Sequence, residues 1–334
     1  MIANRVREMT YHGERAVCLQ YGPFQAIVLP DIGANLISFR DVERGLSFLR
    51  EPTADEMPQF KAFPTQHGIP VLFPPNRFED GSFPIGEYTY HLPINEPNRN
   101  NHLHGFLHSV AWDVTATGEG DHDSFVVLTL VVDEGHPVYN AFPHRFRMDI
   151  EYRLSSSGLR QTVSVENEGT SPMPCMLGFH TAINVPFSAR STERDYVFTA
   201  TVGNRFEMSE RMLPTGNYLD LTPAERMMQT SGISPFFEPM DNHYTARPEQ
   251  GRNCATVTDR RENIRLVYDV GVKYRHWMIW NNEAGGSFFC PEPQINVVNA
   301  PNLHLPCEET GLVVLEEGET WSETSTLFVE DVVY

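Results

Sequence analysis

The stretch Asn100-Asn101-His102-Leu103-His104-Gly105-Phe106-Leu107-His108 carries three imidazoles, two amides and a glycine in nine residues. Histidine titrates near neutrality, and glycine lets the backbone come close to a neighbour or a ligand. Upstream, the proline-punctuated run Gly68-Ile69-Pro70-Val71-Leu72-Phe73-Pro74-Pro75 delivers Asn76 and Arg77 on a stiff backbone. Many short hydrogen-bonding groups, one proton donor and a backbone that holds them still are what a polyol ligand needs.

Three further positions carry chemistry. His180 stands inside the apolar run Met176–Phe187, where it is either a core histidine held by a carbonyl or a proton carrier tuned by burial. Glu292 lies between Pro291 and Pro293, a rigid setting that suits a general base, although a solvated acid in a proline-rich loop fits the same residues. Asp241 follows Pro239-Met240 and either binds a hydroxyl or starts a turn.

His102 and His104 on one strand would share a face, and with His108 they could hold a divalent ion as in a cupin. Against this, the next acidic residue is Asp113, so no carboxylate lies close to the pair. Histidines capping turns beside a buried strand is the plainer reading. Cys18, Cys175, Cys254, Cys290 and Cys307 show no C-x-x-C spacing, and an odd number cannot pair fully. Free thiols in a reducing cytosol are expected, and the cysteines give zinc no support.

The elements that must position these residues are mostly of period two. Met148, Ile150, Tyr152 and Leu154 mark one face of a strand; Ser155-Ser156-Ser157-Gly158 turns the chain, and Leu159–Glu166 alternates again. Similar alternation predicts strands at Gln25–Leu29, Val110–Ala116, Phe125–Val132, Ile264–Val270, Trp277–Trp280, Leu312–Leu315 and Thr320–Val329. A short helix is expected only at Pro223–Met228. Twenty-five prolines and twenty-three glycines punctuate these runs, which implies an all-β sandwich or barrel of many short strands. One β domain spanning 1–334 is the expectation.

Composition narrows the partners. A net charge of -19 argues against nucleic acid, whose phosphates are held by clustered Lys and Arg, and disfavours an anionic membrane, leaving a neutral or cationic small ligand. The first residues lack the apolar core of a signal peptide, and the run near Phe125–Val132 is too short to span a bilayer. A cytoplasmic protein, monomer or homodimer, is expected.

In combination these features resemble the aldose 1-epimerase, or galactose mutarotase, family. The likeness covers nearly the whole chain: Leu29–Ser38, Gly68–Arg77, Leu103-His104-Gly105, Trp112, Tyr152-Arg153-Leu154, Asn167, Pro172-Met173-Pro174, His180, Asp241 and Glu292-Pro293, in order. It implies a large antiparallel β-sandwich with a concave face for a monosaccharide. Glu292 then matches the general base, His180 the general acid and His104 a second active-site histidine. Arg77, with Asn76 beside it, and Asp241 match groups that hold sugar hydroxyls. One position departs: a second glycine typically follows His-Gly, whereas Gly105 is followed by Phe106-Leu107-His108. That is closer to bacterial relatives of undefined substrate, so a galactose preference is not implied.

The implied chemistry is ring opening of a free hexose by acid and base placed on opposite sides of the sugar, with rotation about C1–C2 and reclosure. It requires no metal or organic cofactor. Glu292 should rest ionised and His180 should be protonated or able to become so, helped by a nearby carboxylate such as Asp241, while Phe78, Phe179 or Trp280 would face the sugar's C–H side. Three rivals remain open, the cupin-like metalloenzyme already described being one. An epimerase of hexose phosphates would use extra cations, with Arg77, Arg99 and Lys61 as candidates, and a carbohydrate sensor would bind without exchange.

Overall fold

A computed structural model describes residues 5–333. Three sheets dominate, all built from antiparallel pairs. The first is a five-stranded meander of Arg5–Tyr11, Glu14–Tyr21, Phe24–Leu29, Asn35–Asp41 and Leu46–Ser47, paired in chain order. The second has eight strands and is centred on the hairpin Phe146–Ser155 with Gly158–Asn167. There Ile150 lies opposite Val163 and Met148 opposite Val165, and buried and half-buried residues alternate along the strand without a break. The alternation read from the sequence is the alternation of the sheet. Gly158 closes this hairpin at φ +100°, where a Cβ would come within 2.4 Å of the Leu327 carbonyl oxygen.

The third sheet also has eight strands and carries the candidate site. Its middle runs through Asp241–Ala246, His276–Trp280, Ser287–Gln294 and Gly178–Phe179. Aromatic pairs join it to the second sheet. Phe289 meets Phe198 with ring centroids 4.7 Å apart, and Trp277 meets Tyr268 at 6.4 Å. One buried apolar cluster draws residues from all three sheets, from Val17 to Leu327, which makes the molecule a large antiparallel β-sandwich.

Helical pieces are short. Pro223–Gln229 forms where the sequence predicts, with Thr222 and Glu225 capping each other's backbone. Met57–Ala62 is a second helix that hydrophobic periodicity does not announce. The strand expected at Val110–Ala116 begins instead at Asp113, because Leu107–Ser109 is a 3-10 turn and Trp112 N–H donates to Pro30 O at 3.0 Å. Among the described residues no helix is long and apolar enough to cross a membrane.

Candidate functional site

Glu292 owes its position to an interruption in the third sheet. On one side the strand Ser287–Gln294 pairs continuously with His276–Trp280, Glu292 opposite Met278. On the other side the neighbour is split: Ile183–Val185 pairs with one end and Gly178 with Gln294 at the other. Pro291 and Pro293, which supply no N–H, fall in that gap. The residues that peel away bond elsewhere, His180 N–H to Pro70 O at 3.1 Å and Ala182 N–H to Gly68 O at 2.9 Å. The gap therefore gives His180 and Glu292 room to meet.

His180 Nε2 lies 3.2 Å from Glu292 Oε1, with both side chains almost wholly buried. The other oxygen, Oε2, and the other nitrogen, Nδ1, have no hydrogen-bond partner. His180 and Glu292 line a cavity of about 150 Å³, as do Asn76, Arg77, His104 and Asp241. All six residues singled out in the sequence converge there. A larger groove of about 730 Å³ between Arg211 and His304 contains none of them.

Arg77 is fixed before any ligand arrives. Its Nε contacts both oxygens of buried Glu96 at 3.2 and 3.1 Å, and a terminal nitrogen reaches Asp241 Oδ2 at 3.4 Å. Asn76 Oδ1 lies 3.4 Å from the other terminal nitrogen. Asn76 and His104 both adopt left-handed backbone, φ +58° and +69°, and His104 N–H donates to Asn76 O at 2.9 Å. Gly105 follows at φ +67°, packed so tightly that a Cβ would lie 2.1 Å from Phe73 O.

That left-handed kink overturns the paired-face expectation for His102 and His104. Only Asn101–Leu103 is strand. His102 turns away from the cavity, its Nε2 accepting from Gly105 N–H at 3.1 Å and its Nδ1 donating to Pro93 O at 2.7 Å. His108 is tied to His104 O at 3.2 Å. Among the described residues no group of three or more His, Cys, Asp or Glu side chains is arranged to hold a metal ion. Of these three histidines His104 alone lines the cavity, edge-on to His180 with ring centroids 5.3 Å apart.

Electrostatics correct the expected resting charges. Burial, then the neighbouring Asp241, push the Glu292 carboxyl well above its ordinary range, against Arg77 and Gln294. Burial takes His180 down to about 3 and His104 well below its usual value. Burial thus favours a neutral acid and a neutral imidazole over an ion pair. The two lie side by side at 3.2 Å rather than on opposite sides of the cavity. Asp241 is itself raised by burial, with Arg77 opposing. Burial also pushes Glu96 up, but Arg77, Asn101 and Arg99 together hold it below its ordinary value.

Of the three aromatic candidates only Trp280 lines the cavity; Phe78 and Phe179 are sealed in the core. Phe63, Thr65 and Gln66 were missed, because they come from the loop after Met57–Ala62, whose place is set by tertiary packing. Glu96 was missed for the same reason. The cations considered for a phosphate are already paired. Arg77 and Arg99 both bind Glu96, and Lys61 Nζ lies 2.7 Å from Glu14 Oε1.

Comparison with known proteins adds a second line of evidence. Residues 15–327 match the family model described as aldose 1-epimerase. A galactose mutarotase-like protein from Clostridium acetobutylicum superposes with a TM-score of 0.95 at 30% identity, over 99% of each chain. The galactose 1-epimerase from Lactobacillus acidophilus NCFM superposes at 0.75 with 14% identity, over 99% of this chain and 100% of that one, a likeness of fold alone. The uncharacterized protein YihR of Escherichia coli (strain K12) is 25% identical over 206 residues, spanning 60% of this chain but only 59% of that protein.

Proposed function

Since the chain belongs to the aldose 1-epimerase family, we propose that it interconverts the α and β anomers of a free hexose by acid–base ring opening and reclosure. The observation that carries this reading is the 3.2 Å approach of His180 Nε2 to Glu292 Oε1 beside a polar cavity. The two oxygens that exchange a proton in the reaction, the C1 hydroxyl and the ring oxygen, are both bonded to C1. Neighbouring acid and base can therefore address them from one side.

The proton count closes on a single shared proton. With Glu292 ionised and His180 protonated, Glu292 takes the proton of the C1 hydroxyl while His180 gives one to the ring oxygen. The C1–O5 bond breaks and C1 becomes a carbonyl carbon. The pair is left as a carboxylic acid and a neutral imidazole. Rotation about C1–C2 presents the other carbonyl face; the former ring oxygen attacks, its proton returns to His180, and Glu292 reprotonates the carbonyl oxygen. Each arrangement of the pair thus belongs to one form of the sugar. Burial favours the uncharged arrangement, which accompanies the open chain. A bound ring favours the charged one by donating its C1 hydroxyl to Glu292 and accepting from His180.

Arg77, Asp241, Asn76 and His104 hold hydroxyls and the developing carbonyl oxygen, on a frame locked by Glu96. The chemistry is complete without a cofactor. A sugar phosphate is the weaker reading, since Arg77, Arg99 and Lys61 are committed to carboxylates. Two-dimensional exchange NMR on a panel of free sugars and sugar phosphates tests the assignment. Faster exchange of a free aldose supports it. If no sugar exchanges faster with protein than without, a binding protein replaces the enzyme.

A further inference from the structure

The sugar cavity has a neighbour. Phe63 and Gln66 line both it and a smaller cavity of about 80 Å³, whose wall also includes Arg50, Glu56, Gln59 and His67. Two features of its wall point to a polar ligand. His67 is only 6% exposed, yet neither ring nitrogen has a partner. Buried polar atoms are almost always paired, with protein, water or ligand. Arg50 stacks over the Phe288 ring at 4.1 Å and donates to Gln66 O at 3.2 Å. Its other terminal nitrogen is 3.6 Å from Glu56 Oε1, too far for a hydrogen bond.

The wall dictates the chemistry of the occupant. Burial, then the charge of Arg50, push His67 down to about 4, so its ring is neutral with one donor and one acceptor nitrogen. A hydroxyl can satisfy both kinds of site. An anion would instead meet the Glu56 carboxylate, held ionised below its ordinary value by hydrogen bonds from Thr53. Arg50 and Glu56 leave the wall with no net charge, and Phe63 adds an apolar surface of the kind sugars pack against.

We propose that this cavity is a second subsite that takes an uncharged, hydroxyl-bearing substituent of the sugar remote from C1, with Arg50 and His67 as its specificity-determining contacts. The assignment rests on the anomer-exchange reading, which places C1 at Glu292 and His180. Matched sugars that differ by one exocyclic hydroxymethyl group test it: D-glucose against D-xylose, and D-galactose against L-arabinose. The readout is the hexose-to-pentose ratio of kcat/KM, in which the folded fraction cancels. Arg50→Met and His67→Leu should each lower that ratio about tenfold, the scale of losing one substituent's contacts. A ratio within twofold of wild type in both variants overturns the subsite. If the wild-type protein exchanges none of the four sugars nor any other of the panel, the enzyme reading fails; the same ratio of Kd values, from ligand-observed NMR, then decides the subsite independently. Binding of none of the four sugars overturns both.

Discussion

Replacing Glu292 by glutamine and His180 by asparagine, singly and together, distinguishes one shared proton from two independent catalysts. A positioned general acid or base typically contributes ~10²–10⁴-fold. If the two acted separately, the double variant would lose their product, ~10⁴–10⁸, or about 5–11 kcal/mol of barrier. The 3.2 Å contact argues otherwise. Either substitution alone stops the proton exchange within the pair, so the second has little left to remove, as in other units that act together. The double variant should therefore lose no more than the worse single one, about 3–5 kcal/mol. Glutamine and asparagine keep polar groups of comparable size in the cavity, which limits collateral repacking. The assay is polarimetry of freshly dissolved α-anomer at neutral pH with the spontaneous rate subtracted, paired with sugar binding by NMR to show that the variants still hold ligand. Multiplicative loss in the double variant would refute the shared-proton mechanism.

The pH profile should carry the same signature. A second proton on the pair must go to His180, which burial holds to about 3, and the shared proton leaves only when Glu292 ionises, well above the usual carboxylate range. The kcat/KM profile should thus stay level from weakly acidic to neutral pH and fall on the alkaline side; a limb near the ordinary histidine value of about 6.5 would contradict it. Glu96→Gln should raise KM and lower the thermal midpoint together, since breaking a buried charged pair costs about 3–5 kcal/mol; an unchanged KM would mean that Arg77 needs no such anchor. A third test concerns stability. His243 and His276 are buried and stacked at 5.4 Å, with burial pushing His276 down to about 3 and His243 well below its usual value. The unfolded chain then binds protons that the fold rejects, so this contribution is present above about pH 6.5 and lost as pH falls towards 3. In urea unfolding, His276→Phe should lose less stability than wild type between pH 7 and 5; equal losses would place the acid sensitivity elsewhere.

How far the sequence can be read depends on whether a signal is local. The hairpin Met148–Glu166 was legible because side chains in a strand alternate by chain geometry alone. Glu292 was legible because two prolines announce a fixed backbone. Arg77, His180 and Asp241 stood out by residue type and setting, each beside a plainer structural reading, and the family pattern added their roles. The separate fates of His102 and His104 were not legible, since the left-handed turn at His104 is imposed by Gly105 lying against Phe73, a contact between distant segments. Resting charges were misjudged for a related reason. Desolvation is a property of everything packed around a group, and no window of sequence contains it. Phe63, Gln66 and Glu96 carry no mark of their own and become functional candidates only through their neighbours.

The pocket is stitched from positions 76, 77, 104, 180, 241 and 292, so during synthesis it cannot exist until the strand Ser287–Gln294 has left the ribosome. No fragment ending earlier holds the carboxylate or the strand that spans the gap, and such contacts between distant segments form slowly. Sugar added to a cell-free translation reaction should accordingly protect no chain that ends before this strand from protease, and protect the complete chain through mass action on the folded state.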